Sequence, residues 1–277
     1  MSYKKPEEKE PDEKLKKDKK GEEHKDESGA NLDILPVKPV ETELRARRKL
    51  HYNIPDPYKG QLLVIAAPIR SGKGVLWNNF LLNPNFYADL FQDVTIISPT
   101  IFNDATARFA AEKWKHTCFT MYDDQIIKNL WANQELKKKQ SEEDDTDTGY
   151  CLIGDDLVGI LNNHQAARKG GEFISFSTRF RHMVRKGDPA MIIYSGQKYN
   201  NTSSVLRCNM TGLLLSGNMK SGKEIQAIKD DIGDTFGGHQ AIDDYLARAR
   251  EKPFSWLYFR LDSTPPEVYL DFQERLF

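Results

Sequence analysis

Lys73 is the residue whose neighbours most plainly suggest chemistry. It lies between Gly72 and Gly74, after the apolar run "QLLVIAAP" and at the head of "GKGVLWNNFLLN". A lysine on a glycine-bearing loop between a buried strand and a helix can reach the β- and γ-phosphates of a nucleotide, and backbone N–H groups at the helix start face the same oxygens. The pattern G-x-x-x-x-G-K-[ST] is met at Gly72-Lys73 but not at its ends. Ala67 stands where the first glycine belongs, a mild change if φ is negative there. Gly74 stands where a Ser or Thr hydroxyl holds Mg²⁺, and water is expected to take that coordination position. The expected phosphate-binding residues are Pro68, Ile69, Arg70, Ser71, Gly72, Lys73, Gly74 and Val75.

About 80 residues downstream, the apolar run "YCLIGDDL" ends in Asp155-Asp156. Taken alone, this is equally a strand exit capped by two solvated acids. Paired with the loop it reads as the second half of a nucleoside-triphosphatase site. Asp155 is expected to hold Mg²⁺, directly or through water, and Asp156 to orient or deprotonate the attacking water. Gln197 ends another buried run, "PAMIIYSGQ", where an amide can sense the γ-phosphate or position water. "SVLRCN" then supplies Arg207 and Asn209. "STRFRHMVRKGDP" supplies Arg179, Arg181, His182, Arg185 and Lys186. An arginine presented to a neighbouring copy's nucleotide would stabilise transition-state charge, whereas loop-flanking basic residues are the plainer alternative. A second G-x-x-x-x-G-K, Gly217 to Lys223, follows "GLLLS". Glu224 would set a carboxylate where phosphate charge must sit, so this stretch is expected to be a turn between strands.

The elements that must position these residues alternate along the chain. Strand-like runs at "QLLVIAAP", "DVTIISPT", "CFTMYD", "YCLIGDDL", "PAMIIYSGQ" and "TGLLLSG" are interleaved with helix-like "GKGVLWNNFLLN", "FNDATARFAAEKW" and "DQIIKNLWANQELKKKQ". The alternation predicts an α/β domain with a mostly parallel central sheet and helices on both faces. "FSWLYFRLDS" and "PEVYLDF" are expected to pair antiparallel at a C-terminal edge, and "SEEDDTDTG" to be an acidic loop. Residues 1–30 mix Lys with Glu and Asp and carry almost no apolar side chain, as in a disordered tail. Residues 31–59 are expected to be an extended segment with a short basic helix around Arg45, Arg47, Arg48 and Lys49, and the ATPase domain is expected over 60–277.

Composition narrows the field. The 277 residues are 39% hydrophobic, enough for a core, and the net charge of −1 provides no global field for nucleic acid. Cys118, Cys151 and Cys208 are widely spaced, which favours unpaired thiols in a reducing compartment. No run of about 18 apolar residues occurs, so no membrane partner is expected.

The order of "APIRSGKG", "CLIGDD", "RFRHMVRKGDPAMIIYSGQKY" and "VLRCNMTGLLL" resembles the genome-packaging ATPases of poxviruses, other large DNA viruses and virophages, within the FtsK–HerA superfamily. The similarity spans roughly residues 60–217. The resemblance implies a RecA-like P-loop NTPase core that binds ATP and Mg²⁺ and assembles as a homo-oligomeric ring. It would pump double-stranded DNA, independent of sequence, into a preformed capsid. Viral capsid proteins would be partners, and the virion or the assembly site in the host cytoplasm the location. It also implies Lys73 on phosphate, Asp155 on Mg²⁺, Asp156 as catalytic acid–base residue, Gln197 as sensor, and Arg207, then Arg181, as the trans-acting arginine. The alternatives are a nucleotide-binding capsid-assembly factor with little hydrolysis, motivated by Gly74, and a small-molecule phosphotransferase, for which no Arg-rich lid segment is evident.

Overall fold

The computed structural model describes residues 47–157 and 171–277. The expected tail and the part of the N-terminal segment that includes Arg45 lie outside the described residues. The strands, in chain order, are β1 (Gln61–Ala66), β2 (Asp93–Ile97), β3 (Cys118–Phe119), β4 (Tyr150–Asp155), β5 (Ala190–Gly196), β6 (Gly212–Ser216), β7 (Trp256–Arg260), β8 (Glu267–Leu270) and β9 (Glu274–Arg275). The helices are α1 (Lys73–Leu82), α2 (Arg108–Lys113), α3 (Asp124–Asp144), α4 (Glu172–Arg179), α5 (Ser204–Asn209), α6 (Gly222–Ile232) and α7 (His239–Arg250).

The strands form one sheet in the order β3-β2-β4-β5-β1-β6-β7-β8-β9. From β3 to β6 the pairing is parallel, and β7, β8 and β9 add antiparallel at the edge. β1, β4, β5 and β6 are buried at every position, which is why they read as unbroken apolar runs rather than as alternations. Leu62, Val64 and Ala66 of β1 enter one core with Ile127 and Leu130 of α3, Phe173 and Phe176 of α4, and Ile242 of α7. Leu63 and Ile65 enter the other with Trp77 and Phe80 of α1 and Ala110 of α2. The period-two register of β1 thus divides its side chains between two helical layers.

Three expectations change. α3 runs to Asp144, so the first half of the acidic stretch is helical. β6 is followed by α6, so the second G-x-x-x-x-G-K stretch joins a strand to a helix. Residues 47–50 are not helical, and the Arg48 guanidinium donates to the carbonyls of Pro84 and Ala88, at 2.7 Å each, and of Phe86. Ile54 is buried in the core, and Asn53 Nδ2 donates to Phe272 O at 3.1 Å, so residues 47–59 pack as part of the domain.

Candidate active site

β1 ends in the middle of the sheet and releases the chain into the loop before α1. Ala67 N donates to Gly196 O at 3.0 Å, which prolongs the pairing with β5 by one step. Ser71 Oγ closes the loop on Pro68 O at 2.6 Å, while Arg70 (φ 59°) and Gly72 (φ 89°) turn left-handed. That geometry suits glycine at 72, because a Cβ there costs about 1–2 kcal/mol. α1 opens with Gly72 as its cap, no capping side chain and no acid in its first turn. Its first N–H groups therefore keep their capacity for an anion. Lys73 is only 8% exposed. Its Nζ donates to Ala67 O at 3.3 Å and lies 3.9 Å from Asp156 Oδ1. An ammonium with three donors is weakly engaged by two contacts of that length and keeps capacity for phosphate.

β4 carries the acids to the same end of the sheet. β5 lies between β1 and β4, so the strand ends that carry the loop and the acids are roughly two strand spacings, about 10 Å, apart, and the Lys73 side chain spans that distance towards Asp156. Asp155 sits beside Ser195 in the β4–β5 register and is 8% exposed. Ser98 Oγ donates to its Oδ2 at 3.0 Å, whereas Oδ1 is buried without a hydrogen-bond partner. Burial pushes the Asp155 carboxyl above the ordinary range and the adjacent Asp156 charge adds to this, while the Ser195 hydroxyl beside it, then Ser98 and the Lys73 ammonium, oppose it. A buried carboxylate with one bare oxygen, next to a loop built for phosphate, fits a hard cation such as Mg²⁺. Asp156 turns left-handed (φ 49°), with its amide donating to Ser195 O at 2.9 Å. Gln197 Nε2 donates to Asp156 Oδ2 at 3.4 Å.

Together these groups line a cavity of about 350 Å³ that includes Arg70, Lys73, Gly74, Asp155 and Asp156. The exit of β2 contributes more: Thr100, Asp104 and Thr106 line the same cavity, and Ser98 holds Asp155. Sequence reasoning missed these four. Ser98 and Thr100 lie in the strand-like run "DVTIISPT" and Asp104 and Thr106 in the helix-like stretch after it, neither with a motif, and only strand order brings them to α1. Gln197 is outside that lining and faces an adjoining cleft of about 510 Å³, with Pro68, Ile69, Lys198 and Ser221.

The basic residues fall elsewhere. Arg207 pairs with Asp231 at 2.5 Å and lies over the Tyr199 ring at 5.3 Å, outside the cavity lining. Arg181 lies against Gly60, just before β1, at the opposite end of that strand from the loop. Arg179 covers Trp131, and Arg185 pairs with Asp145. Glu224, in the second lysine-bearing stretch, accepts from Asn200 N at 2.8 Å, so its carboxylate serves as an internal anchor.

A lysine loop and an acidic strand end, meeting at the carboxyl ends of parallel strands, define the fold of a P-loop NTPase. Among solved structures, genome packaging NTPase B204 from Sulfolobus turreted icosahedral virus 2, in complex with AMP, has this fold with a TM-score of 0.54 at 14% identity, covering 76% of this chain and 96% of that one. Its sulfate complex superposes with a TM-score of 0.52 at 15% identity, over 76% and 94% of the two chains. The DNA-packaging ATPase B204 from Sulfolobus turreted icosahedral virus does so at 0.52 and 16%, over 78% and 97%. No protein-family model and no curated protein matches the chain.

Proposed function

We propose that this chain is an ATP-hydrolysing motor that translocates double-stranded viral DNA into a preformed capsid as a homo-oligomeric ring. The observation that carries this reading is the convergence of Lys73, Asp155, Asp156 and Gln197 at the carboxyl ends of β1, β5 and β4. Backbone N–H groups at the head of α1 and the Lys73 ammonium hold the β- and γ-phosphates. Asp156 takes a proton from water as its oxygen attacks the γ-phosphorus, and Gln197 orients that water. The bond from the γ-phosphorus to the bridging oxygen breaks, leaving ADP and phosphate. Mg²⁺, when bound, neutralises charge on the phosphate oxygens, with Asp155 as its protein anchor. Arg207 serves the neighbouring copy's nucleotide once released from Asp231, and Arg181 is the second candidate for that role. The likeness to the genome-packaging NTPases supports DNA as a partner; capsid proteins as further partners, and action at the virion or its assembly site, belong to the proposal.

The test is ATP hydrolysis with and without duplex DNA, on wild type and Lys73→Ala. We expect stimulation by DNA, and a rate at least about 100-fold lower in the variant, as for loss of a transition-state charge partner. Undiminished activity in Lys73→Ala would mean that the site lies elsewhere. Absence of DNA stimulation in every oligomeric state would remove the motor. Gly74 favours one second reading, a capsid-assembly factor that binds ATP with near-zero turnover.

A further inference from the structure

Gly74 is where the phosphate-loop pattern calls for a hydroxyl, and another part of the chain takes up that space. A Cβ placed on Gly74 would stand 2.9 Å from Thr106 Oγ1 and 3.1 Å from Asp104 Oδ2. Both belong to the turn after β2, which packs against α1. Asp104 Oδ1 accepts from Thr106 N at 2.8 Å and from Thr106 Oγ1 at 2.7 Å. The hydroxyl proton is thus directed to Asp104, and the Oγ1 lone pairs are left for another partner. Asp104 Oδ2, not used in those bonds, faces the same position.

A separate observation points to a cation. Asp155, lining the same cavity, carries a buried Oδ1 with no hydrogen-bond partner. Asp104 and Asp155 beside a phosphate-binding lysine would repel a phosphate unless a cation lay between them. Among the described residues no three His, Cys, Asp or Glu side chains converge as a metal cage. The cation would therefore be held by few protein oxygens, with phosphate and water completing the shell, as Mg²⁺ prefers.

We propose that Thr106 Oγ1, oriented by Asp104, supplies the hydroxyl that Gly74 lacks and, with Asp155, holds the divalent cation of the nucleotide site. This rests on the phosphate-site reading above. It also assigns a reason for glycine at 74: a side chain there collides with the pair that does its work. Gly74→Ser is then an obstruction, not a repair.

The experiment uses full-length protein and two binding measurements. Mn²⁺ affinity is read from the free-ion electron paramagnetic resonance signal in the presence of the slowly hydrolysed analogue ATPγS. ATPγS affinity in EDTA is read by calorimetry. Thr106→Val should weaken Mn²⁺ binding by at least about tenfold, with metal-free nucleotide binding and Tm near wild type. Thr106→Ser should bind Mn²⁺ like wild type. Gly74→Ser alone should not tighten Mn²⁺ binding, whereas Gly74→Ser with Thr106→Ala should recover most of what Thr106→Ala loses. Thr106→Val that binds Mn²⁺ within twofold of wild type overturns the proposal, as does Gly74→Ser that tightens it with Thr106 intact. Wild type that binds ATPγS neither with Mn²⁺ nor in EDTA overturns the phosphate-site reading itself, a separate outcome.

Discussion

Gly72 and Gly237 adopt nearly the same backbone conformation in unrelated places, and this allows a controlled test of the phosphate loop. Gly72 has φ 89° and ψ 17° at the head of α1, and Gly237 has φ 92° and ψ 12° before α7. A Cβ on Gly72 would meet nothing nearer than Phe254 Cδ1 at 3.7 Å, so Gly72→Ala costs only the left-handed backbone, about 1–2 kcal/mol. A Cβ on Gly237 would meet Ala241 Cβ at 3.2 Å, which adds slightly to the same cost. For a domain of this size each variant should lose roughly 2–8 °C in Tm. Nucleotide affinity should separate them. Moving the Gly72 backbone spoils at least one N–H contact to phosphate, a charge-assisted bond worth about 1.5–3 kcal/mol, or roughly tenfold to 150-fold in Kd. Gly237→Ala should leave Kd unchanged. Calorimetric titration with ATPγS beside thermal unfolding reads both quantities. The reasoning fails if Gly72→Ala loses stability yet binds as wild type, or if both variants lose affinity alike.

Asp155→Asn tests the buried carboxyl through pH. The folded state raises this carboxyl, so it holds the proton more tightly than the unfolded chain does. The stability it contributes is full below the ordinary carboxylate range and is lost as pH rises through the raised value. In metal-free buffer the Tm of the variant relative to wild type should therefore climb as the pH rises above the ordinary carboxylate value of 3.8 and then level off, and a flat difference throughout would refute the assignment. Asp231→Asn should cost about 1 kcal/mol or less in stability, since the pair is partly exposed. It should preserve hydrolysis in assembled protein, whereas Arg207→Ala should depress it; equal loss in both would make the arginine structural. Thiol labelling at pH 8 should modify Cys208, which is exposed, while Cys118, pushed by burial to about 11, and buried Cys151 react only on unfolding. Fast reaction of Cys151 in the folded protein would contradict its place in the core.

Much of the domain was legible before any coordinates. β1, β4, β5 and β6 are buried on both faces, and burial on both faces writes itself as a continuous apolar run. Lys73 and Asp155-Asp156 stood out because each sits where such a run stops, and the carboxyl ends of parallel strands are where ligands collect. The antiparallel pairing of β7 with β8 was likewise legible from two apolar segments around a Pro-bearing turn. The extent of α3 was not, because acidic residues lower helix propensity only slightly and carry no stop signal.

The sequence by itself therefore determined the fold class, the lysine loop and the acids that face it, since strand burial, glycine turns and helix starts are local and leave local marks. Only the tertiary structure decided the strand order that inserts β5 between loop and acids. It alone brought Asp104 and Thr106 against Gly74, tied Arg207 to Asp231, and set Arg181 at the far end of β1. Each of these is a meeting of segments distant along the chain. Such a meeting follows from how two helical layers close over one sheet, and neither periodicity nor spacing records which distant side chain fills the space a glycine leaves open.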